Sequence, residues 1–275
     1  MSFMFMKASV IISTYNSVSW LEKVLWGFSV QTDTDFEIII ADDGSTIETE
    51  QKIKELSKLI NIPIVHIWHK DNGFQKTKIL NKSIVASRSD YLIFTDGDCI
   101  PRKDFVATHL KFRSKGHFLS GGYFKLPMNI SEQITKNDIL EQRCFDINWL
   151  KQNGFQGNKS IKLSASGLFA SFLNKITTTK PTWNGHNASG WKKDLLAVNG
   201  FNEQMQYGGE DRELGERLIN MSVSPKQIRY SAISVHLDHT RGYVSEEIWQ
   251  KNDTIRAYTK ANKVIKTSSG IEKDY

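Results

Sequence analysis

Cysteine is scarce in this 275-residue chain: Cys99 and Cys144 are the only two. They are too few for a disulfide framework and too far apart for a zinc knuckle, so a reducing cytoplasm is the expected compartment. Long apolar runs are missing as well. None approaches the ~18 residues needed to span a bilayer, and mean hydropathy is −0.40, so an integral membrane protein is not expected. The opening Met1-Ser2-Phe3-Met4-Phe5-Met6-Lys7 has no basic n-region and no small-residue cleavage site, which argues against a signal peptide. Internal repeats and low-complexity tracts are absent too.

What is present reads as a soluble globular chain. Apolar residues make up 39% and charged residues 24%, and the length suits one large domain or two tightly joined halves. Lys and Arg number 36 against 30 acids, a net charge of +6. That balance fits nucleic acid, an anionic membrane surface, a phosphorylated substrate or simply solvated lysines. Acids lie among the spread-out lysines, which disfavours nucleic acid.

The first hundred residues alternate strand and helix patterns. Ala8–Ile12, Phe36–Ala41, Pro63–Trp68 and Tyr91–Thr95 are short apolar runs of the kind found in buried parallel strands. Between them, Trp20, Leu21, Val24, Leu25 and Phe28 recur at helical spacing after a capping Asn16 or Ser17, and helices are expected near 46–59 and 74–86. The β-α-β-α-β-α-β order calls for a parallel sheet with helices on both faces. Beyond it, helices are expected near 102–115, 132–151, 191–198, 210–221 and 245–265, with strands near 226–236. Residues 152–190 read as irregular, and the tail from Lys266 as frayed.

In such a sheet, ligands bind beyond the carboxyl ends of the strands. Asp42-Asp43-Gly44-Ser45 and Asp96-Gly97-Asp98 both fall there. Asp-Gly is a common turn pair, yet two such clusters at one sheet edge favour a site. An Asp-x-Asp turn can hold a divalent cation that bridges to phosphate oxygens. His236 and His239 follow the apolar stretch 232–235 and are candidate further ligands. Imidazole beside carboxylate and phosphate oxygens suits Mn²⁺ better than Mg²⁺ or Ca²⁺. A third cluster, Gly208-Gly209-Glu210-Asp211, places acids at a helix start, where they complement the helix dipole and can act on a substrate hydroxyl.

These residues resemble a known family. Ser9–Asn16, Glu37–Ser45 and Asp96-Gly97-Asp98 resemble a family 2 glycosyltransferase of the GT-A fold, a Rossmann-like mixed sheet flanked by helices. Val198–Glu203, Tyr207–Asp211, His239-Thr240-Arg241 and Phe74–Asn81 are similar to motifs of β-1,4-galactosyltransferases and of the amino-terminal transferase half of chondroitin polymerase. The resemblance covers about residues 8–245.

The resemblance implies an inverting, metal-dependent transfer from a UDP-sugar to a hydroxyl of a glycan or lipid-linked glycan. Thr14, Asp43, Phe74, Lys76 and Asp96 would bind the nucleotide sugar, with Lys76 standing where galactosyltransferases carry an arginine. Asp98, His239 and His236 would hold the metal. Asp211 would be the catalytic base. Glu210, Tyr207 and Gly185 would meet donor and acceptor sugars. Two departures stand out: Gly185-His186 replaces a Gly-Gly pair, and Tyr207 replaces a tryptophan. Trp183, Trp191 and Phe201 lie near the expected acceptor region, and Trp183 reads as a lid residue. The expected organisation is a nucleotide-sugar half (1–100), an acceptor and catalytic half (101–244) and a C-terminal helix and tail (245–275).

Bacterial relatives build lipopolysaccharide, capsule or other surface glycans at the inner membrane face. The C-terminal helix, with Ile248, Trp249, Ile255 and Tyr258 beside Lys251, Arg256 and Lys260, is therefore either a peripheral membrane element or docked on the core. The rival functions are a sugar nucleotidyltransferase and a non-catalytic nucleotide-sugar-binding module. The first should show a glycine-rich basic loop after the first strand, where this chain has Thr14-Tyr15-Asn16-Ser17. The second should have lost one of Asp98, Asp211 or His239, and all three are present.

Overall fold

β1 (Ala8–Thr14) and β2 (Phe36–Asp42) are the apolar runs the sequence marks, and nearly every side chain in both is buried. Strands apolar on both faces need cover on both sides. In the computed structural model, which describes residues 6–157, 160–240 and 245–272, they receive it. β3 (Ile64–Trp68), β2, β1 and β4 (Tyr91–Asp96) form the parallel part of a seven-stranded sheet. The sheet continues through β8 (Ala188–Trp191), antiparallel to both neighbours, then β6 (His117–Ser120) and β9 (Ser224–Gln227). A second sheet of three strands holds β5 (Cys99–Pro101), β10 (Ile233–His236) and β7 (Gly122–Lys125).

The helices are α1 (Val18–Ser29), α2 (Ile47–Leu56), α3 (Lys76–Ala86), α4 (Phe105–Phe112), α5 (Met128–Gln133), α6 (Lys136–Leu140), α7 (Ile147–Gln152), α8 (Ile161–Ser164), α9 (Gly167–Ile176), α10 (Lys192–Ala197), α11 (Glu210–Asn220) and α12 (Glu246–Ala261). Alternate strand residues serve two cores. Val10, Ile12, Ile38 and Ile40 pack with Leu21, Leu25 and Phe28 of α1. Ile11, Ile39, Leu92 and Phe94 face the other way, onto Ile79 and Ile84 of α3 and Leu214 and Leu218 of α11. Each such aliphatic side chain, fully buried, contributes about 1.5–3 kcal/mol relative to exposure.

Register brings the acids together. Thr14 pairs with Asp42, and Ser13 with Asp96, so the carboxyl ends of β1, β2 and β4 form one edge. The chain turns at Gly97, whose N–H donates to the Ser13 carbonyl at 2.7 Å. It then enters β5, where Cys99 pairs with His236 of β10. The Leu237 N–H donates to the Asp98 carbonyl at 2.9 Å. Residues far apart in sequence are thus fixed side by side by backbone pairing.

α11 starts from two glycines in the left-handed region, Gly208 at φ +107° and Gly209 at φ +88°, a conformation that side chains disfavour. The helix is anchored from within. The fully buried Arg217 pairs with Glu213 at 2.9 Å and donates to the carbonyls of Val198 and Gly200. Asn81 of α3 ties down the same turn through Phe201: its Nδ2 donates to the Phe201 carbonyl at 2.9 Å, and its Oδ1 accepts from the Phe201 N–H at 2.7 Å.

The second half departs from expectation. The segment 152–190, read as irregular, contains α8, α9 and the start of β8. The single helix expected over 132–151 is α6, a 3₁₀ turn at Arg143–Phe145 and α7, because Gln142 turns left-handed at φ +60°. Strands β5, β6 and β7 are too short, at three or four residues, to show a period. The tail is not frayed over its described part. Glu203 N–H donates to Ser269 O at 2.7 Å, and Asn199 Nδ2 donates to Thr267 O at 2.8 Å. α12 docks on α11: Asn252 and Thr259 are buried, and Arg256 pairs with Glu216 at 2.7 Å. None of the helices among the described residues is long and apolar enough to cross a membrane.

Candidate functional site

Two of the strand-end acids have different duties. Asp42 is wholly buried and satisfied by protein: His66 Nε2 lies 2.8 Å from Oδ2 and the Ser45 N–H donates to Oδ1 at 2.8 Å. It builds the turn. Asp43 is held at the rim by His69 Nε2 at 2.7 Å and by the Gln75 N–H at 2.9 Å. Burial raises its carboxyl above the ordinary range, although His69 and the Gln75 N–H pull it down. Thr14, next to it, keeps a buried Oγ1 with no partner among the described residues. A hydroxyl left that way is unusual in a native interior.

Asp96 and Asp98 flank Gly97 and also differ. Asp96 Oδ1 accepts from Ser13 Oγ at 2.6 Å and from Lys76 Nζ at 2.8 Å. Burial opposes its charge, but Lys76 and Ser13 outweigh that and hold the carboxyl below its ordinary range. Asp98 faces two imidazoles. Its Oδ2 lies 3.0 Å from His239 Nε2 and 3.7 Å from His236 Nε2, and the rings stack 5.7 Å apart. Donor atoms of these three residues all fall within 4.8 Å of one another. His239 Nδ1 lies 3.0 Å from the Thr240 carbonyl. A carbonyl only accepts, so Nδ1 carries a proton and Nε2 is the ring nitrogen turned to the carboxylate. A positive charge between Nε2 and the carboxylate satisfies this 3.0 Å approach, and either a second ring proton or a divalent cation supplies it. A ring fixed through its other nitrogen is the usual second-shell arrangement of a metal-ligating histidine.

Across Lys76 stand Glu210 and Asp211, at the start of α11. Glu210 is buried, and its Oε2 accepts from the Gly208 N–H at 2.8 Å. Asp211 keeps an edge open to the cleft while dense protein surrounds its carboxylate. Burial, then the neighbouring Glu210 charge, push it up to about 7, although Lys76 pulls the other way. Its Oδ1 is buried without a partner among the described residues. Gly185 lets the backbone approach: a Cβ there would sit 2.5 Å from Asp211 Oδ2. Lys76 is half-buried, and desolvation disfavours its charge, but Asp96, Asp211 and Glu210 together hold it firmly protonated. One ammonium among so many carboxylates leaves the cleft short of positive charge, which again favours a bound cation.

Phe74 and Tyr207 meet edge to face at 6.0 Å, and Tyr207 meets Trp249 of α12 at 6.2 Å. On the far side of Asp211 a cavity of about 330 Å³ opens, lined by Tyr123, Trp183, Asn184, Gly185, Arg212 and Arg229 among others.

Residues 9–170 match the sequence family described as glycosyl transferase family 2. The chain belongs to that family. Residues 172–240 match a second family, described as the N-terminal domain of galactosyltransferase. Among curated proteins, the chain is 28% identical over 233 residues to chondroitin synthase of Escherichia coli, covering 76% of this chain and 32% of that protein. It is 29% identical over 269 residues to an uncharacterized glycosyltransferase of Bacillus subtilis, covering 85% and 65%. The chain therefore spans less than two thirds of these relatives. Similar solved structures are S. aureus TarS in complex with UDP-GlcNAc (TM-score 0.63, 17% identity, 94% of this chain and 70% of that one) and a Pyrobaculum calidifontis mannosyltransferase with GDP-Man and Mn²⁺ (TM-score 0.57, 16% identity, 92% and 70%). At such identities they establish the GT-A fold alone.

Within the family 2 chain, most of the residues singled out in the sequence converge. Thr14, Asp43, Lys76 and Asp96 share one sheet edge, Asp98, His236 and His239 form one cluster, and Gly185, Glu210 and Asp211 meet beside Lys76. Three aromatic residues do not belong to a mobile acceptor surface. Trp183, expected as a lid, is wholly buried between Phe94 and Phe118 at 5.3 and 5.6 Å. It floors the cavity and cannot swing. Phe201 is core, and Trp191 packs on Tyr91 at 5.1 Å. Arg241 lies outside the described residues.

The sequence reading passed over His69 and marked His186 only as a departure from a Gly-Gly pair. His186 reaches the cluster edge-on through Tyr123, 4.5 Å away, which also lies 5.7 Å from the His236 ring. Burial pushes His186 down to about 4 even though Asp96 pulls it up, so it stands neutral at physiological pH. Nothing in its local sequence marks it except that it replaces a glycine.

Proposed function

We propose that the protein is an inverting, metal-dependent glycosyltransferase. It moves a hexose or N-acetylhexosamine from a UDP-sugar of the UDP-Gal, UDP-GalNAc or UDP-Glc type to a glycan hydroxyl with β linkage. The observation that carries this reading is Asp211: a carboxylate with one buried, unpartnered oxygen, pushed up to about 7, facing a cleft whose other wall is Lys76, Asp96 and the Asp98–His236–His239 cluster. A base titrating near neutrality is well matched to taking a proton from an acceptor hydroxyl. A single displacement inverts the anomeric carbon, so an α-linked donor gives a β product.

Asp43, Thr14 and Phe74 hold the nucleotide. Lys76 meets the diphosphate, and Asp96 orients Lys76 and the donor. Asp98, His236 and His239 hold a divalent cation, Mn²⁺ in preference to Mg²⁺ because two of the three donors are imidazoles. When bound, that cation supplies Lewis-acid neutralisation of the leaving diphosphate. Glu210 and Tyr207 bind sugar, Tyr207 through its ring face. Residues 1–100 serve the donor, 101–244 the acceptor and the chemistry, and 245–275 brace α11. The names of similar proteins support a nucleotide-sugar donor, since one was solved with UDP-GlcNAc and another with GDP-Man and Mn²⁺.

We assign the protein to synthesis of bacterial surface polysaccharide or lipopolysaccharide in the cytoplasm, at the inner face of the membrane, with a lipid-linked glycan as acceptor. On α12 the basic residues Arg256 and Lys260 are paired with Glu216, and the surface that supports a membrane contact is α9. There Leu168 is 90% exposed, and Phe169, Phe172 and Ile176 are exposed beside it. The test is UDP release from a panel of UDP-sugars with Mn²⁺. Turnover of one of them supports the reading, and none turning over, with or without Mn²⁺, removes it.

A further inference from the structure

The cavity beyond Asp211 has a charge pattern of its own. Lys162, Lys180, Arg212 and Arg229 all line it, and Asp211 is its one acidic lining residue. Elsewhere nearby, cations are matched: Arg217 with Glu213, Arg256 and Lys260 with Glu216. Among the described residues, Lys180, Arg212 and Arg229 enter no ion pair with an acid. Like charges gathered round a concave wall raise one another's cost and the local positive potential. An arrangement of this kind is stabilised when an anion enters.

A second observation is independent of charge. Trp183 Nε1, Asn184 Oδ1, Gln227 Oε1 and Asp211 Oδ1 are buried polar atoms without hydrogen-bond partners among the described residues, and all four residues belong to the wall of this cavity. Buried polar groups are normally satisfied. A mixture of unpaired donor and acceptors suits the hydroxyls of a sugar. The anion is not the donor diphosphate, because Thr14, Asp43, Phe74, Lys76 and Asp98 are absent from the lining. The cavity touches the donor side only through Asp211, Gly185 and His186.

We propose that this cavity is the acceptor site and that it selects a sugar carrying a carboxylate or a phosphate, with its attacking hydroxyl at Asp211 and its anionic group among Lys180, Arg212 and Arg229. The proposal rests on the transferase reading above. No bond other than the glycosidic one changes, and the anionic group is held without reacting.

The test measures binding of three probes to the full chain in the presence of UDP and Mn²⁺: methyl β-glucoside, methyl β-glucuronide and methyl β-glucoside 6-phosphate. The expected result is at least about tenfold tighter binding of one anionic probe than of the neutral one. That preference falls by about tenfold in Arg229→Gln, falls likewise in Lys180→Gln, whose exposed position tolerates change, and shrinks as salt rises. Whether the glucuronide or the phosphate is preferred identifies the anion. Equal binding of the three probes, absence of binding included, overturns the proposal, as does a preference that survives both substitutions. UDP-sugar turnover in the same samples keeps the two readings apart. Turnover with equal probe binding leaves the transferase standing and removes this site. Probe selectivity without turnover removes the transferase while the anion site stands.

Discussion

The two sides of the Asp211 cleft are built on different principles. On the donor side, charged groups are fixed by one another and by strand pairing: Lys76 by Asp96, Asp43 by His69 and Gln75, His236 by the register of β10 on β5. Across Asp211, Lys180 and Arg229 stand on loops and Arg212 on the first turn of α11, and among the described residues these three enter no ion pair with an acid. The first arrangement is fixed by protein contacts alone, which suits the diphosphate and metal binding proposed for it. The second stays open to an incoming group, and its chemistry is completed by what it binds.

Asp211 belongs to neither side alone, so changing it tests the division most severely. Asp211→Asn is expected to lower transfer by about 10³-fold, within the range for loss of a general base, with UDP affinity changed less than about twofold. Steady-state kinetics and UDP titration separate the two, and a parallel loss of UDP affinity would assign Asp211 to the donor side instead. Because its folded carboxyl is raised to about 7, ionising it above its ordinary value opposes folding. Stability from this group is present at low pH and lost as pH rises toward 7. The Asn variant should therefore melt no lower than the parent at pH 8, which excludes unfolding as the cause of lost activity.

Gly185→Ala comes next. The added Cβ would fall 2.5 Å from Asp211 Oδ2, and displacing a base by about 1 Å costs up to about 10² in rate. The loss is expected in kcat, with the donor KM nearly unchanged. A donor KM that rises as much as kcat falls would show that Gly185 serves the nucleotide.

Asp98→Ala should weaken metal-supported UDP binding by about tenfold or more, and leave metal-free UDP binding as it was. Calorimetry with and without Mn²⁺ reads both, and an equal loss in each would break the assignment of the cluster to a metal. The last effect, about tenfold between pH 7 and pH 6, is on pH. Transfer should be full above pH 8 and fall through pH 7, about tenfold per unit below it, as Asp211 gains its proton. A profile flat from pH 5 to 8 would contradict a base raised by burial and Glu210.

Legibility followed the same division. β1 to β4 could be read because each is a short, mainly apolar run between helical stretches, and the acids after β2 and β4 stand out against apolar sequence. β5, β6 and β7 could not, since three or four residues carry no period. Their hydrogen bonds come from partners distant in the chain. Trp183 shows the limit for side chains. A tryptophan in a stretch rich in polar residues suggests an exposed lid, yet the fold closes Phe94 and Phe118 around it. The tail was misjudged for a related reason: its anchors, Asn199 and Glu203, lie some seventy residues away.

The sequence by itself determined the parallel sheet, its strand-end acids and the residues able to hold a metal or take a proton. Those properties depend on local pattern: apolar runs, turn glycines and side-chain chemistry. Tertiary structure decided that Asp98 meets His236 and His239, that Asp42 is structural while Asp43 faces the cleft, and that burial lifts Asp211 toward neutrality. It also gathered Lys162, Lys180, Arg212 and Arg229 around one cavity. Proximity and desolvation set a charged group's behaviour, and both are created only when distant segments pack together.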